Sequence, residues 1–279
     1  MSERGGRPPA PDPLPIPVVD NHTHLDMARD GDEPPDLAAV IEAATAVGVP
    51  RMVQIGCDLP GARFTVEVID RYAALLGGVA LHPNEAPRLH ESGQLESARA
   101  EIERLAAHPR VRVIGETGLD YFRTGTEGVA AQQDSFRWHI DLAKRTGKTL
   151  QIHDRDAHED VLRILAEEGA PERTVLHCFS GDITMARQCV ERGYFLSFAG
   201  TVTFKNATGL RNALAVTPTE NLLVETDAPY LTPAPHRGAT NAPYLIPLTV
   251  RAMAAVLSTD VPTLCTALTA NSELLYGPW

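Results

Sequence analysis

Eight short apolar runs, separated by longer segments of helical periodicity, leave this chain few architectures to choose from. The runs cover residues 17–20, 51–56, 76–81, 111–115, 149–153, 173–177, 193–198 and 221–226. The helical segments are 36–48, 61–73, 95–108, 131–146, 156–169, 182–193, 207–215, 247–258 and 261–277. Glycine closes several of them, at Gly48, Gly169 and Gly193. The 131–146 segment carries Lys144 and Arg145 in its last turn, where cations oppose the helix dipole. Strands that alternate with helices pair in parallel through right-handed crossovers. That leaves a doubly wound open sheet or an eightfold barrel, and 279 residues lies a little above the size typical of one such barrel. No linker or internal repeat divides the chain.

The placement of metal-type side chains favours the barrel. His22 and His24, then Glu116, His153, His177 and Asp227, lie at or just past the ends of the runs PVVDNHTH, VRVIGE, KTLQIH, RTVLH and NLLVETD. An open sheet gathers its site at one switch point, whereas a parallel barrel builds it from many strand ends. The reading is therefore α/β, a single (β/α)8 TIM barrel.

Each of these residues also has an ordinary explanation. A lone strand-end histidine is often a satisfied core group, and Glu116 alone could be a salt-bridged structural carboxylate. Their shared placement points to one site. In His22-Thr23-His24 the two imidazoles fall on one strand face, because side chains alternate with period two. Asp227 is the preferred carboxylate in VETD, being nearer the C-terminal end. Glu225 is its rival, either as ligand or as a group one layer deeper. His82, in VALHP, also ends a run and is a candidate substrate contact. Arg155 and Arg237 are candidate phosphate contacts through the planar guanidinium fork. His90, His108, His139 and His158 fall in helical or loop context and read as solvated. Imidazoles mixed with carboxylates suit borderline divalent metals such as Zn²⁺ or Mn²⁺, whereas Mg²⁺ usually takes oxygen ligands. Six ligands suit a two-metal hydrolytic site.

Composition excludes other classes. A net charge of −11 argues against a broad basic surface for duplex DNA or an anionic membrane. It leaves room for a nucleic-acid end at a cation-bearing pocket. No apolar run reaches membrane-spanning length, and the Pro-rich start lacks the apolar region of a secretory signal. Residues 1–15 read as a loose tail before a domain spanning 16–279. Cys57, Cys178, Cys189 and Cys265 show no C-x-x-C pairing and read as reduced thiols of a cytoplasmic protein. Nothing in the sequence points to a protein partner.

The chain resembles the TatD family of metal-dependent hydrolases. The resemblance is carried by VDNHTHLD, the ALHP segment, IGETGLDYFR, IHDRDA, LHCFSGD, the SFAGTVTF run, VETDAPYLTP followed by HRGATNAP, and the chain end NSELLYG. It implies an amidohydrolase-like TIM barrel with two divalent ions, Mg²⁺, Mn²⁺ or Zn²⁺. His22, His24 and Asp227 would hold one ion and His153 and His177 the other, with Glu116 bridging. It also implies a deoxyribonuclease, 3′–5′ exonuclease-like, that opens phosphodiesters of DNA ends or single strands with a metal-activated water, Glu116 and Asp227 being the catalytic carboxylates. The alternative is a metal-dependent amidohydrolase or esterase, including a D-aminoacyl-tRNA deacylase. Where the family often reads RGK-x-N-E-P, this chain has Arg237-Gly238-Ala239-Thr240-Asn241-Ala242-Pro243, without the lysine and the glutamate.

Overall fold

In the computed structural model, which describes residues 7–29, 32 and 35–279, the eight expected strands lie in one parallel sheet ordered β1 to β8. They are β1 (Val19–Thr23), β2 (Arg51–Gly56), β3 (Leu75–Val79), β4 (Val111–Asp120), β5 (Thr149–Arg155), β6 (Thr174–Leu176), β7 (Phe195–Phe198) and β8 (Leu222–Val224). Between and after them run α1 (Leu37–Ala46), α2 (Leu59–Arg71), α3 (Glu85–Glu91), α4 (Leu95–Ala106), α5 (Val129–Thr146), α6 (His158–Glu168), α7 (Ile183–Glu191), α8 (Thr208–Val216), α9 (Ile246–Leu257) and α10 (Val261–Tyr276). This is the TIM-barrel order, with α3 an addition that the periodicity did not indicate. Aspartates start α1, α2, α7 and α10. Asp36, Asp58, Asp182 and Asp260 each accept a backbone N–H of the first turn.

Alternation sorts the strand residues into two cores. Val53, Ile55, Val113, Val175, Phe195 and Leu223 point into the barrel and form one buried cluster with Leu275 and Tyr276. A larger cluster packs the opposite strand faces against the helices, with Met52, Ile114, Leu150, Ile152 and Leu196 among its strand members. Thr149 donates its hydroxyl to Leu275 O at the start of β5, so the end of α10 closes the N-terminal mouth. The C-terminal mouth is left for the site.

The structure changes three expectations. β6 and β8 are only three residues long, so His177 and Asp227 lie just beyond their strands. β4 instead runs on to Asp120, with a register shift between Ile114 and Thr117. The expected loose tail is held against the barrel within its described part. Leu14 is buried and its N–H donates to Val47 O at 3.0 Å, while Pro8 O accepts from the Tyr244 hydroxyl at 2.6 Å. An apolar residue with a place to bury outweighs the proline content around it. Residues 1–6 lie outside the described residues. Among the described residues, no single helix is long and apolar enough to cross a membrane.

Candidate metal centre

The barrel closes between its last and first strands, and the same backbone bonds assemble half of the site. Asp227 N–H donates to His22 O at 3.0 Å, and His24 N–H donates to Ala228 O at 2.9 Å. These bonds set His22, His24 and Asp227 side by side. Asp227 Oδ1 lies 3.3 Å from His24 Nε2 and 3.9 Å from His22 Nε2. Asp20 ties the same seam, accepting from the Thr226 N–H at 2.9 Å and from its hydroxyl. Burial pushes the Asp20 carboxyl up to about 7.

The other half hangs from the middle strands. Glu116 Oε2 lies 2.6 Å from His177 Nε2 and 3.2 Å from His153 Nδ1. Its Oε1 faces the opposite way, 3.8 Å from His24 Nε2 and 3.1 Å from Cys57 Sγ, which donates to it. One carboxylate oxygen thus addresses each half of the cluster. The close approach of β4 to β5 here depends on Gly118. Its φ is +137°, and a Cβ at that position would sit 2.1 Å from His153 O.

The rear nitrogen of each ligand-type imidazole is fixed by an acceptor. Gln151 donates its amide N–H to Asn21 O at 2.9 Å, which turns its Oε1 to His22 Nδ1 at 2.8 Å. An amide oxygen only accepts, so Nδ1 carries the hydrogen and Nε2 carries a lone pair. His24 Nδ1 meets Ile55 O at 3.0 Å, with the same consequence. His177 Nδ1 donates to Glu225 Oε1 at 3.2 Å, and His153 Nε2 donates to Asp120 Oδ2 at 3.3 Å. When the rings are neutral, four lone pairs therefore converge with two carboxylates. The Nε2 atoms of His22 and His24 stand only 3.3 Å apart, close enough to share either a proton or a metal ion. Metal-ligating histidines are held in this way, and the donor set fits divalent cations. The donor atoms of His22, His24 and Asp227 lie within 4.8 Å of one another, as do those of His22, Glu116 and His177.

The electrostatics carry the same message. Burial alone would raise Glu116, but His177, His82 and His153 hold it well below the usual carboxylate range. Burial lowers His24, yet Asp227 and Glu116 outweigh it and push the ring up to about 10. His177 behaves likewise through Glu116 and Glu225. His22 is driven the other way, by burial and by the neighbouring His177. The buried carboxylates thus draw positive charge into a dry pocket.

His82 differs from the four. Its Nδ1 accepts the Asn84 N–H at 3.0 Å, so its Nε2 carries a hydrogen, aimed toward Glu116 Oε1 3.9 Å away. Burial lowers it to about 4, which leaves a neutral ring presenting an N–H to the site rather than a lone pair. Arg155 and Arg237 stand at the mouth, stacked on Phe122 at 3.9 Å and Phe204 at 4.0 Å.

All six expected ligand residues therefore meet, with His82 beside them. Glu225, the rival to Asp227, is fully buried behind His177 and also accepts the Cys178 N–H at 2.9 Å. Three neighbours of the cluster escaped the sequence reading: Asp120, Gln151 and Cys57. Gln151 sits two positions before His153 on the same strand face, so the period-two rule could have found it. His139, read as solvated, is fully buried. Its Nδ1–H donates to Ser135 O at 2.7 Å and its Nε2 accepts the Leu81 N–H at 3.1 Å.

The chain as a whole is similar to known proteins. A profile described as TatD related DNase matches residues 19–277. An uncharacterized metal-dependent hydrolase TatD of Mycobacterium tuberculosis is 48% identical over 266 residues, covering 93% of this chain and 98% of the relative. The uncharacterized metal-dependent hydrolase YabD of Bacillus subtilis is 37% identical over 260 residues, with 93% and 98% covered. The crystal structure of YJJV, a TatD homolog from Escherichia coli, superposes with a TM-score of 0.84 at 26% identity, covering 94% of this chain and 98% of that one.

Proposed function

This chain belongs to the TatD family of metal-dependent hydrolases, and from that premise we propose that it is a two-metal phosphodiesterase acting on DNA ends, in a 3′–5′ exonuclease-like manner. The observation that carries the reading is Glu116, one oxygen facing His153 and His177 and the other facing His24. His22, His24 and Asp227 would hold one divalent ion and His153 and His177 the other, with Mg²⁺, Mn²⁺ and Zn²⁺ as the ions to test. When bound, such ions lower the pKa of a water and neutralise charge on a phosphoryl oxygen.

The remaining work falls to side chains. Asp227 is more open to solvent than Glu116, 16% against 7%, and so is the carboxylate placed to take the proton of an attacking water. The His82 N–H is a donor for a phosphoryl oxygen, and Arg155 and Arg237 offer planar forks at the mouth. A single DNA strand or a DNA end is the substrate class, and the reduced cytoplasm, with all four thiols free, is the place of action.

A second reading is hydrolysis of a small ester or amide, or of D-aminoacyl-tRNA. The 237–243 loop favours it. Without the family's lysine, this loop is held by Arg29, which donates to Gly238 O at 3.1 Å and Ala239 O at 2.7 Å. A cation is spent on the loop backbone instead of on substrate. The test is digestion of labelled oligodeoxynucleotides blocked at the 3′ or the 5′ end, with each metal, beside a panel of esters and amides. We expect loss of nucleotides from an open 3′ end. No cleavage of DNA with any metal, together with turnover of an ester or amide, would replace the nuclease reading by the second.

A further inference from the structure

Among the described residues, three large apolar side chains stand exposed: Phe122 at 63%, Tyr230 at 46% and Leu274 at 65%. Leu274 lies on α10, at the closed end of the barrel. The other two stand at the open mouth. Phe122 follows β4, and its ring is covered on one side by Arg155 from the end of β5. Tyr230 follows β8, beside Phe204, whose ring carries Arg237. In an eight-stranded ring the β4–β5 edge and the β8 edge lie nearly opposite, with the metal centre between them.

An exposed aromatic ring is normal when isolated. Two at one mouth, with an arginine-stacked ring on each side, in a chain of net charge −11, call for a ligand. On the Tyr230 side the rings open into a cavity of about 580 Å³ lined also by Arg29, Leu231 and Thr232. That lies within the ~300–1,000 Å³ of small-molecule sites. Flat faces next to guanidinium groups suit a flat π-system joined to an anion. Nucleotides have that composition, and bases stack on aromatic rings and on arginine planes alike.

We propose that Phe122–Arg155 and Tyr230–Phe204–Arg237 are two base-stacking platforms, one for the nucleotide on each side of the scissile phosphodiester. The proposal rests on the nuclease reading and makes it narrower. Bases within a duplex are covered by their neighbours, so the platforms select a single strand or a frayed end. Stacking tolerates every base, so the same mouth carries little sequence preference. The acidic net charge fits this arrangement, since affinity then comes from ring faces and local arginines rather than from a basic surface.

The experiment pairs protein rings with substrate bases. Oligodeoxynucleotides carry a tetrahydrofuran abasic residue on the 5′ side or the 3′ side of the cleaved bond, and are offered to the wild type, Phe122→Ala and Tyr230→Ala. With the intact strand, each variant is expected to raise KM by about tenfold, the order that loss of one base–aromatic stack gives. With the abasic residue facing its own platform, the variant and the wild type are expected to have the same KM. Fluorescence anisotropy with the same strands reads binding independently of turnover and is expected to show the same pattern. Unchanged KM in both variants, or losses equal on intact and abasic strands, would overturn the platforms while cleavage itself upholds the nuclease reading. If no strand is cleaved and none binds, both fall together.

Discussion

Acid should destabilise this barrel in part through His139, a ring outside the candidate metal cluster. His139 is fully buried on α5, with its Nδ1–H on Ser135 O and its Nε2 accepting the N–H of Leu81, the residue before His82. Protonation would turn that acceptor into a donor facing a donor. Burial lowers its pKa from 6.5 to about 3, with Arg99 nearby acting in the same direction. The unfolded chain therefore binds more protons than the folded one between those two values, and stability falls as pH drops through that window. Each pH unit within the window removes about 1.4 kcal/mol, so the loss from this ring is about 2 kcal/mol at pH ~5 and about 4 kcal/mol at pH ~3. Urea unfolding at a series of pH values, for the wild type and for His139→Gln, isolates the contribution. Glutamine can accept from Leu81 and donate to Ser135 without titrating. The variant should lose stability at neutral pH and show a shallower decline toward acid. Equal slopes for the two proteins would refute the reasoning, because they would mean that the ring is not neutral and locked in the folded state.

The candidate metal centre yields three further outcomes. Glu116→Ala should abolish turnover and remove at least one bound metal while the circular dichroism of the barrel is retained; two metals still bound, with turnover, would contradict the bridging role. Glu225→Ala frees the Nδ1 of His177 and should weaken metal binding by about 10–100-fold, the usual cost of losing an orienting partner, whereas Glu225→Gln keeps an acceptor and should lose far less. Chelator competition distinguishes the two, and equal affinities for Ala and Gln would count against orientation by hydrogen bonding. Gly118→Ala forces a Cβ onto His153 O at a φ of +137° and should cost roughly 3 kcal/mol or more, read by urea unfolding together with weakened metal binding.

The candidate ligands were legible because a parallel barrel puts them at a place that sequence marks, the end of an apolar run. What lay outside that rule was harder to see. Asp120 is four residues past Glu116, and the register shift in β4 breaks the even count that would have joined them. The Asp227 and Glu225 alternatives rested on their sharing a strand face, but β8 ends at Val224, and the turn beyond it sends Asp227 to the mouth and leaves Glu225 behind His177. His139 was disguised by its surroundings. The buried face of α5 includes Gln132 and Ser135 as well as Phe136, Ile140 and Ala143, so the polar members blurred an apolar stripe to which the ring belongs.

The substrate was the least legible part, for a physical reason. The candidate metal ligands are fixed by strand order, which a single pattern reports along the whole chain. The mouth is fixed by pairs that no local pattern links. Arg29 clasps the loop at Gly238 and Ala239 across more than two hundred residues, and Arg155 reaches back from β5 to Phe122 after β4. Arg155 and Arg237 were visible as charges, but the rings beneath them were not. On the proposed reading, those rings separate a site for a flat base joined to phosphate from a site for a simple anion. Chemistry in this protein is therefore encoded by position along strands and selectivity by contacts between loops, so relatives with the same ligands can differ in substrate through changes confined to the mouth.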